Sequence, residues 1–503
     1  MNHISEKLAK SLAALKALQD NGAVAIPSKL LERSDRERLT KYGFIKEVMR
    51  GWYIPSSPEE QQGDTTAWYT SFWDFCAAYL DERLAKNWYL SPEQSMQIHI
   101  GDKTVPSQLL VRSPKGRNKP TTLLHNTSVF DIRADMLSEE KLVRVDGLSL
   151  YSLAASLVYC SKDTFINQPV QMRTLLSMVS DASEVLAVLL DGNHVTSAAR
   201  LAGGFRNIAR DLIADNIIKG MEAADHKIKE VDPFEDKTEL KFARREVSPF
   251  ANRMKLLWYR MRETVIEHFP EPLTTELNTG AYLQELEDKF VSDAYHSLSI
   301  EGYRVTHELI EFVRSGNWDP ENSLENKKHL DAMAAKGYFD AFQQVKLAVE
   351  KVLNGENAGE VLETAHSNWY FALFGPSVAA GILKQSELAG YRTGPVYIRK
   401  SRHTPPSREA LRDMMPALFD LLMEEEHPAV RVVLGHFIFV YIHPYFDGNG
   451  RMGRFIMNLM MASGGYPWVV VPVERRDEYM QALESASVDG DISYFTKFIA
   501  SLL

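Results

Sequence analysis

Two apolar runs separated by a polar, glycine-rich segment constrain this chain more than any other feature. RVVLGHFIFVYI (431–442) is apolar nearly all round, which suits an α-helix only when every face is buried. RMGRFIMNLMMASGG (451–465) is a second such run and closes on Gly464-Gly465, residues suited to a helix C-terminus. The stretch HPYFDGNGRMGR (443–454) is then a loop between two core helices, feeding the N-terminus of the second.

The residues of that loop point to a bound polyphosphate. Asp447-Gly448-Asn449-Gly450 suits the positive-φ conformations that Gly and, less readily, Asn adopt. Such a turn aims successive N–H groups at one point, and the helix dipole adds to the attraction for an anion. Arg451 and Arg454, three apart, share a helix face and can clamp one polyanion. A lone carboxylate, Asp447, suits Mg²⁺, which takes few protein ligands and fills its shell with phosphates and water. His443 supplies a side chain whose unperturbed pKa fits a general base near neutrality.

His443 to Arg454 resembles the signature of the Fic family, H-x-F-x-[D/E]-G-N-G-R-x-x-R, with Tyr445 in place of the phenylalanine. The resemblance implies a protein adenylyltransferase: AMP passes from ATP to a Ser, Thr or Tyr hydroxyl of a target protein not named by the sequence. By position, His443 would deprotonate that hydroxyl and Asp447 would hold Mg²⁺. The backbone of Gly448, Asn449 and Gly450 would cradle phosphates, and Arg451 and Arg454 would grip the outer ones. Gly450, where phosphorylating relatives carry lysine, favours nucleotidyl transfer. GYRTGPVYIRKSRHTPP (390–406) resembles the family's β-hairpin flap, which would bring Ile398 and Arg399 near the nucleotide. Tyr479, in RRDEYMQALESA, stands where relatives line the adenine pocket or, equally, is a core aromatic. SLSIEG (297–302) matches the inhibitory pattern [S/T]-x-x-x-E-[G/N]. On a helix around 290–305, Ser297 and Glu301 lie one turn apart, and the resemblance implies that Glu301 pairs with Arg454 and blocks productive ATP binding. In some inhibited relatives the same glutamate serves AMP removal, so a de-AMPylating phosphodiesterase is an alternative. His436 reads as a core histidine, and His366 is assigned no chemistry.

Three organisational blocks are expected, because 503 residues exceed what one hydrophobic core supports. Residues 1–58 read as a winged helix-turn-helix: helix Ser5–Leu18, a short helix after Pro27, a third capped by Ser34, then two β-runs around Arg50-Gly51. Residues 60–230 read as mixed α/β, with QIHIG, QLLVRS and TTLLHNTSVFDIRAD as strands. Both blocks together, on LTKYGFIKEVMRGWYIP above all, resemble the AbiEi family of antitoxin-like regulators. Residues 228–250 read as a linker, and 240–503 as an all-α Fic fold carrying the flap.

Net charge is −10, against wholesale nucleic-acid coating, yet residues 1–58 hold ten Lys/Arg against six Asp/Glu. Arg36, Arg38, Lys41, Lys46 and Arg50 are candidate DNA-phosphate contacts, and a toxin–antitoxin-type transcriptional regulator is the non-enzymatic alternative. No apolar run approaches the roughly 18 residues of a membrane span. The start, MNHISEKLAKSL, has no signal-peptide core, and two cysteines give neither a disulfide framework nor zinc spacing. A cytoplasmic, membrane-free protein is expected, with self-association common among Fic relatives.

Overall fold

The computed structural model describes residues 2–58, 60, 64–235, 248–272, 278–318, 330–384, 388 and 390–503. Two compact units emerge: Met1–Pro249 with Tyr397–Thr404, and Phe250–Val396 with Pro405–Leu503.

The first unit opens with α1 (Asn2–Asp20), β1 (Ile26–Pro27), a 3₁₀ turn (Ser28–Leu30), α2 (Arg33–Lys41), β2 (Ile45–Met49) and β3 (Trp52–Pro55). Helix α2 starts one residue before Ser34, with Glu32 at the cap and no side-chain cap bond. The three strands pair antiparallel in the order β1-β3-β2. Alternation buries Trp52 and Ile54 on β3, and a register shift between Glu47 and Met49 lets β2 bury both Ile45 and Val48. Ile26, Leu31, Leu39 and Ile45 close a small core under α1. Aromatic packing joins this head to the helix after it. Trp52 meets Phe75 and Tyr79 edge-on at centroid distances of 5.7 and 5.8 Å.

Those rings stand on α3 (Thr66–Leu84), which precedes β4 (Tyr89–Leu90), α4 (Pro92–His99), β5 (Gln108–Ser113), β6 (Lys119–Thr122), β7 (Ser128–Arg133), β8 (Leu142–Val145) and β9 (Leu148–Tyr151). A four-stranded sheet runs β4-β5-β7-β6, with β5 and β7 parallel, and β8-β9 form a separate hairpin. QIHIG, expected as a strand, is instead the end of α4. Ser91 accepts from the Gln94 N–H, Pro92 occupies the first turn, and this capping outweighs the apolar alternation. Six helices complete the unit: α5 (Leu153–Tyr159), α6 (Lys162–Asn167), α7 (Pro169–Met178), α8 (Ala182–Asp191), α9 (Val195–Asn207) and α10 (Asp211–Ala223). The expected linker is partly packed, since the Val231 N–H donates to Ala199 O on α9 and Phe234 is buried. Its remainder, 236–247, lies outside the described residues.

The second unit is helical among the described residues. It begins with α11 (Pro249–His268), α12 (Thr279–Ile300), α13 (His307–Arg314), α14 (Leu330–Leu353) and α15 (Ala358–Ala379). It continues with α16 (Arg408–Glu424), α17 (Pro428–Ile442), α18 (Asn449–Ser463), α19 (Arg476–Glu484) and α20 (Ser493–Ala500). Helices α17 and α18 are its centre, as their largely apolar sequence requires: Val432, Val433, Leu434, Phe437, Ile438, Phe455, Ile456 and Leu459 are fully buried. They pack closely because Gly453 has no side chain; a Cβ there would meet Val440 at 2.8 Å and His436 at 3.1 Å.

Helix α12 is set by Asn278, whose side chain caps the Ala281 N–H at 2.8 Å. Tyr282, Leu286, Phe290 and Ala294 bury one stripe of it. That stripe continues into Asp293, Ser297 and Glu301, so it turns polar toward its C-terminal end. Gly302, at φ 93°, stops the helix there.

The segment 390–406 carries no strand, contrary to the expected β-hairpin flap. Pro395, Pro405 and Pro406 lack donors, Lys400 adopts φ 63°, and the Arg392 N–H donates to Pro444 O at 2.9 Å.

Candidate active site

The loop expected between two core helices is found there, and its geometry follows from its residues. Helix α17 ends at His443, whose backbone is left-handed at φ 53° and ψ 59°. Gly448, at φ 80°, caps α18. Asn449 closes the loop with its side chain: Oδ1 accepts from the Tyr445 N–H at 3.0 Å and Nδ2 donates to Tyr445 O at 2.8 Å. Tyr445 is buried and stacks on Tyr370 at 3.7 Å between centroids, a ring-packing role that phenylalanine could also fill. The first-turn N–H groups of Asn449, Gly450 and Arg451 have no intrahelical acceptor, as in any α-helix, and carry the positive end of the dipole.

Charged groups surround that helix end. Asp447 is exposed, and its carboxylate accepts from the Gly448 N–H at 2.6 Å and from Arg451 at 3.3 Å. Arg451 is buried, its guanidinium lying over Tyr303 at 5.3 Å and Phe374 at 5.1 Å. Arg454 is also buried and donates to Ser297 Oγ at 2.9 Å, to Ser297 O at 3.0 Å and to Glu301 Oε1 at 2.8 Å. Ser297 and Glu301 are therefore brought to Arg454 by α12. The Glu301 backbone sits at an exposed helix end while its carboxylate reaches inward. Burial acts to raise that carboxyl's pKa, but the Arg454 and Arg451 charges outweigh it and hold it below the ordinary value. For Arg454, burial opposes the charge and Glu301 more than restores it, leaving the guanidinium's pKa raised.

His443 is half-buried, and its Nδ1 lies 3.2 Å from Val440 O, which fits a proton on Nδ1 and a lone pair on Nε2. Burial, aided by the Arg392 charge, pushes its pKa down to about 4, against the Val440 carbonyl and the Glu301 and Asp447 charges, which pull it up. The imidazole is thus neutral at physiological pH, the form a base requires. Among the described residues no group of three His, Cys, Asp or Glu is placed to hold a metal. A Mg²⁺ ion fits only in the manner its chemistry allows, with the exposed Asp447 carboxylate as one ligand and phosphate oxygens and water as the others.

Other sequence candidates fall elsewhere. Tyr479 is 1 % exposed, and its hydroxyl lies 2.8 Å from His436 Nε2, so it packs as a buried aromatic near Arg454. Burial pushes His436 to about 4 and the Tyr479 phenol to about 12. His366 is a buried helix residue whose Nε2 lies 3.0 Å from the Tyr391 hydroxyl. Ile398 and Arg399 belong to the first unit, where Arg399 Nε donates to the Asp64 carboxylate at 3.0 Å. Of the basic head residues, Arg36 donates to Ser28 O and Leu31 O, Arg38 to Asp35 and Ser11, and Lys46 to Glu60. Lys41 and Arg50 are exposed. Three residues escaped the sequence reading. Asp293 accepts from the Tyr338 hydroxyl at 2.8 Å, buried one helical turn before Ser297. That i, i+4, i+8 spacing to Ser297 and Glu301 was a usable signal. Tyr303 and Arg392 had none.

The helical unit carries this glycine-rich turn at its centre, and comparison with known proteins matches that region. Residues 366–461 match the model of the Fic/DOC family, so the chain carries a Fic domain. A protein adenylyltransferase Fic of Nematostella vectensis is 26% identical over 219 residues, 43% of this chain and 47% of that protein. One from Drosophila willistoni is 38% identical over 222 residues, 42% of this chain and 40% of its own length. The solved structure of Fic-1 from C. elegans aligns with 68% of this chain and 91% of that one, at 18% identity and a TM-score of 0.36. The matches to these two curated relatives span less than half of the relatives' own lengths.

Proposed function

We propose that the chain is a protein adenylyltransferase restrained by its own Glu301. In the reaction, the neutral His443 Nε2 takes the proton of a target Ser, Thr or Tyr hydroxyl. The hydroxyl oxygen bonds to the α-phosphorus of ATP, the bond to the β-phosphate oxygen breaks, and pyrophosphate leaves. The α18 N-terminus and Gly448–Gly450 backbone stabilise the charge that grows on the departing phosphates. Bound at Asp447, Mg²⁺ would neutralise phosphate charge. Arg451 and Arg454 bind the outer phosphates.

One observation carries the restraint: the Glu301 carboxylate lies against Arg454 and directly over Gly450, at the helix end where a triphosphate tail would sit. A guanidinium holding that carboxylate is not free to hold a γ-phosphate. Intact-mass spectrometry of the Glu301→Gly protein, with each nucleoside triphosphate and Mg²⁺, tests both parts. The expected product is a single AMP adduct with ATP, faster than in wild type and absent in His443→Ala. Transfer unchanged by Glu301→Gly would remove the restraint, and no adduct in any variant would remove the activity.

A second reading, a de-AMPylating phosphodiesterase in which Glu301 orients a water, has one point in its favour: the Glu301 charge acts on His443 and favours its protonated form. Free AMP released from AMPylated target by wild type, and lost in Glu301→Gly, would support it.

A further inference from the structure

Arg392 is 3 % exposed, and every hydrogen bond described for its guanidinium goes to a main-chain carbonyl. Nε donates to His443 O at 2.8 Å, Nη1 to Gly394 O at 3.0 Å, and Nη2 to Pro406 O and, at 3.4 Å, to Ile442 O. Its own N–H donates to Pro444 O. The side chain thus grips the backbone before and at His443, and the residue's own N–H holds it just after. Burial lowers the guanidinium's pKa only to about 10, so it stays charged at neutral pH.

Two physical needs meet at this point. Helix α17 ends here, and the last carbonyls of a helix lack intrahelical donors and carry the negative end of its dipole. His443 also adopts a left-handed backbone, which is strained for any residue with a Cβ and persists only where surroundings enforce it. A planar fork with several fixed donors answers both needs; a lysine ammonium would not reach four carbonyls in these directions.

We propose, resting on the function above, that Arg392 is the positioning residue for His443: its fork holds the left-handed turn that aims the imidazole at the reacting hydroxyl. The fork also sets the charge around the base. The charged groups facing the imidazole are Arg392, Glu301 at the end of α12, and Asp447 in the loop; Arg392 is the cation that opposes protonation, and the two carboxylates favour it.

The test uses the full chain with Glu301→Gly as parent. Arg392→Lys keeps the charge and loses the fork, while Arg392→Gln loses both. For each, kcat and the KM for ATP are measured, and His443 is titrated by proton–carbon NMR without nucleotide, its signal assigned by its loss in His443→Ala. Both variants should lose kcat by about 10–100-fold, the scale of a small misplacement of a reacting group, with little change in KM. The titration midpoint should stay put in Arg392→Lys and move to higher pH in Arg392→Gln. A fold defect alone would scale kcat equally at every pH and leave the midpoint unmoved. The proposal is overturned if Arg392→Lys keeps its kcat or if the midpoint in Arg392→Gln does not move. Should Arg392→Gln not fold, the kcat against KM split in Arg392→Lys decides. An inactive parent would refute the proposed function instead, while the nucleotide-free titration still reads the effect of Arg392.

Discussion

Glu301 Oε1 occupies the space that a Cβ on Gly450 would need, so the helix-end carboxylate and the motif glycine cannot both keep their places if the glycine gains a side chain. Gly450→Ala should push the carboxylate off Arg454 and loosen the restraint, while its methyl group stands where the triphosphate tail would sit. Because both substitutions open the same contact, the double variant with Glu301→Gly should transfer no faster than Glu301→Gly alone. Radiolabelled transfer across the four proteins checks this. An additive gain would mean that the two residues act separately.

The base should be insensitive to pH across the physiological range. His443 works only when neutral, and with a pKa of about 4 its neutral form is complete at neutral pH and lost as pH falls through that value. Initial rates of Glu301→Gly should therefore be flat between about pH 6 and pH 8. An acid limb near the ordinary histidine value would show that nucleotide binding restores the proton. His443→Ala should lower the rate by about 10²–10⁴-fold, the usual worth of a positioned base.

The Glu301–Arg454 pair should also be visible in stability. The folded Glu301 carboxyl has a lowered pKa, so its contribution is present above the unfolded value and is lost as pH falls through the folded one. At neutral pH, Glu301→Gln should cost about 1–2 kcal/mol, less than the loss expected for a fully buried pair, since the carboxylate keeps partial access to water. Denaturant melts of the two proteins should converge as the pH falls below the ordinary carboxylate value and through the lowered one. A difference constant with pH would assign the loss to packing.

Metal dependence should run through one side chain. EDTA should abolish transfer by Glu301→Gly, and Asp447→Ala should raise the Mg²⁺ concentration needed for half-maximal rate while leaving metal-free ATP binding little changed. Titrating Mg²⁺ against rate, with calorimetry for ATP, separates the two effects.

Much of this site is legible in the sequence, for a reason particular to it. Gly448, Asn449, Arg451 and Arg454 lie within seven residues, so local spacing alone places them on one turn and one helix face. Ser297 and Glu301 are readable by the same i, i+4 rule, although only the fold brings them to Arg454, more than 150 residues away. Arg392 is not readable, because its acceptors are main-chain carbonyls that any sequence possesses. Tyr303 reaches Arg451 through a ring face and has no spacing rule behind it. In the first unit, QLLVRS is the strand its short apolar run suggests, whereas QIHIG alternates polar and apolar yet is helical because Ser91-Pro92 starts a helix upstream. The flap fails as a hairpin for a third reason: three prolines and a left-handed Lys400 remove the donors and the extended backbone that pairing needs.

Helix α12 and helix α18 belong to one polypeptide and lie within one compact unit. The carboxylate is therefore presented to Arg454 at an effective concentration fixed by the chain, and diluting the protein does not weaken that presentation. Freeing the arginine takes a movement of the Glu301 side chain or of the helix end that carries it, an intramolecular change whose equilibrium is the same at nanomolar and millimolar protein.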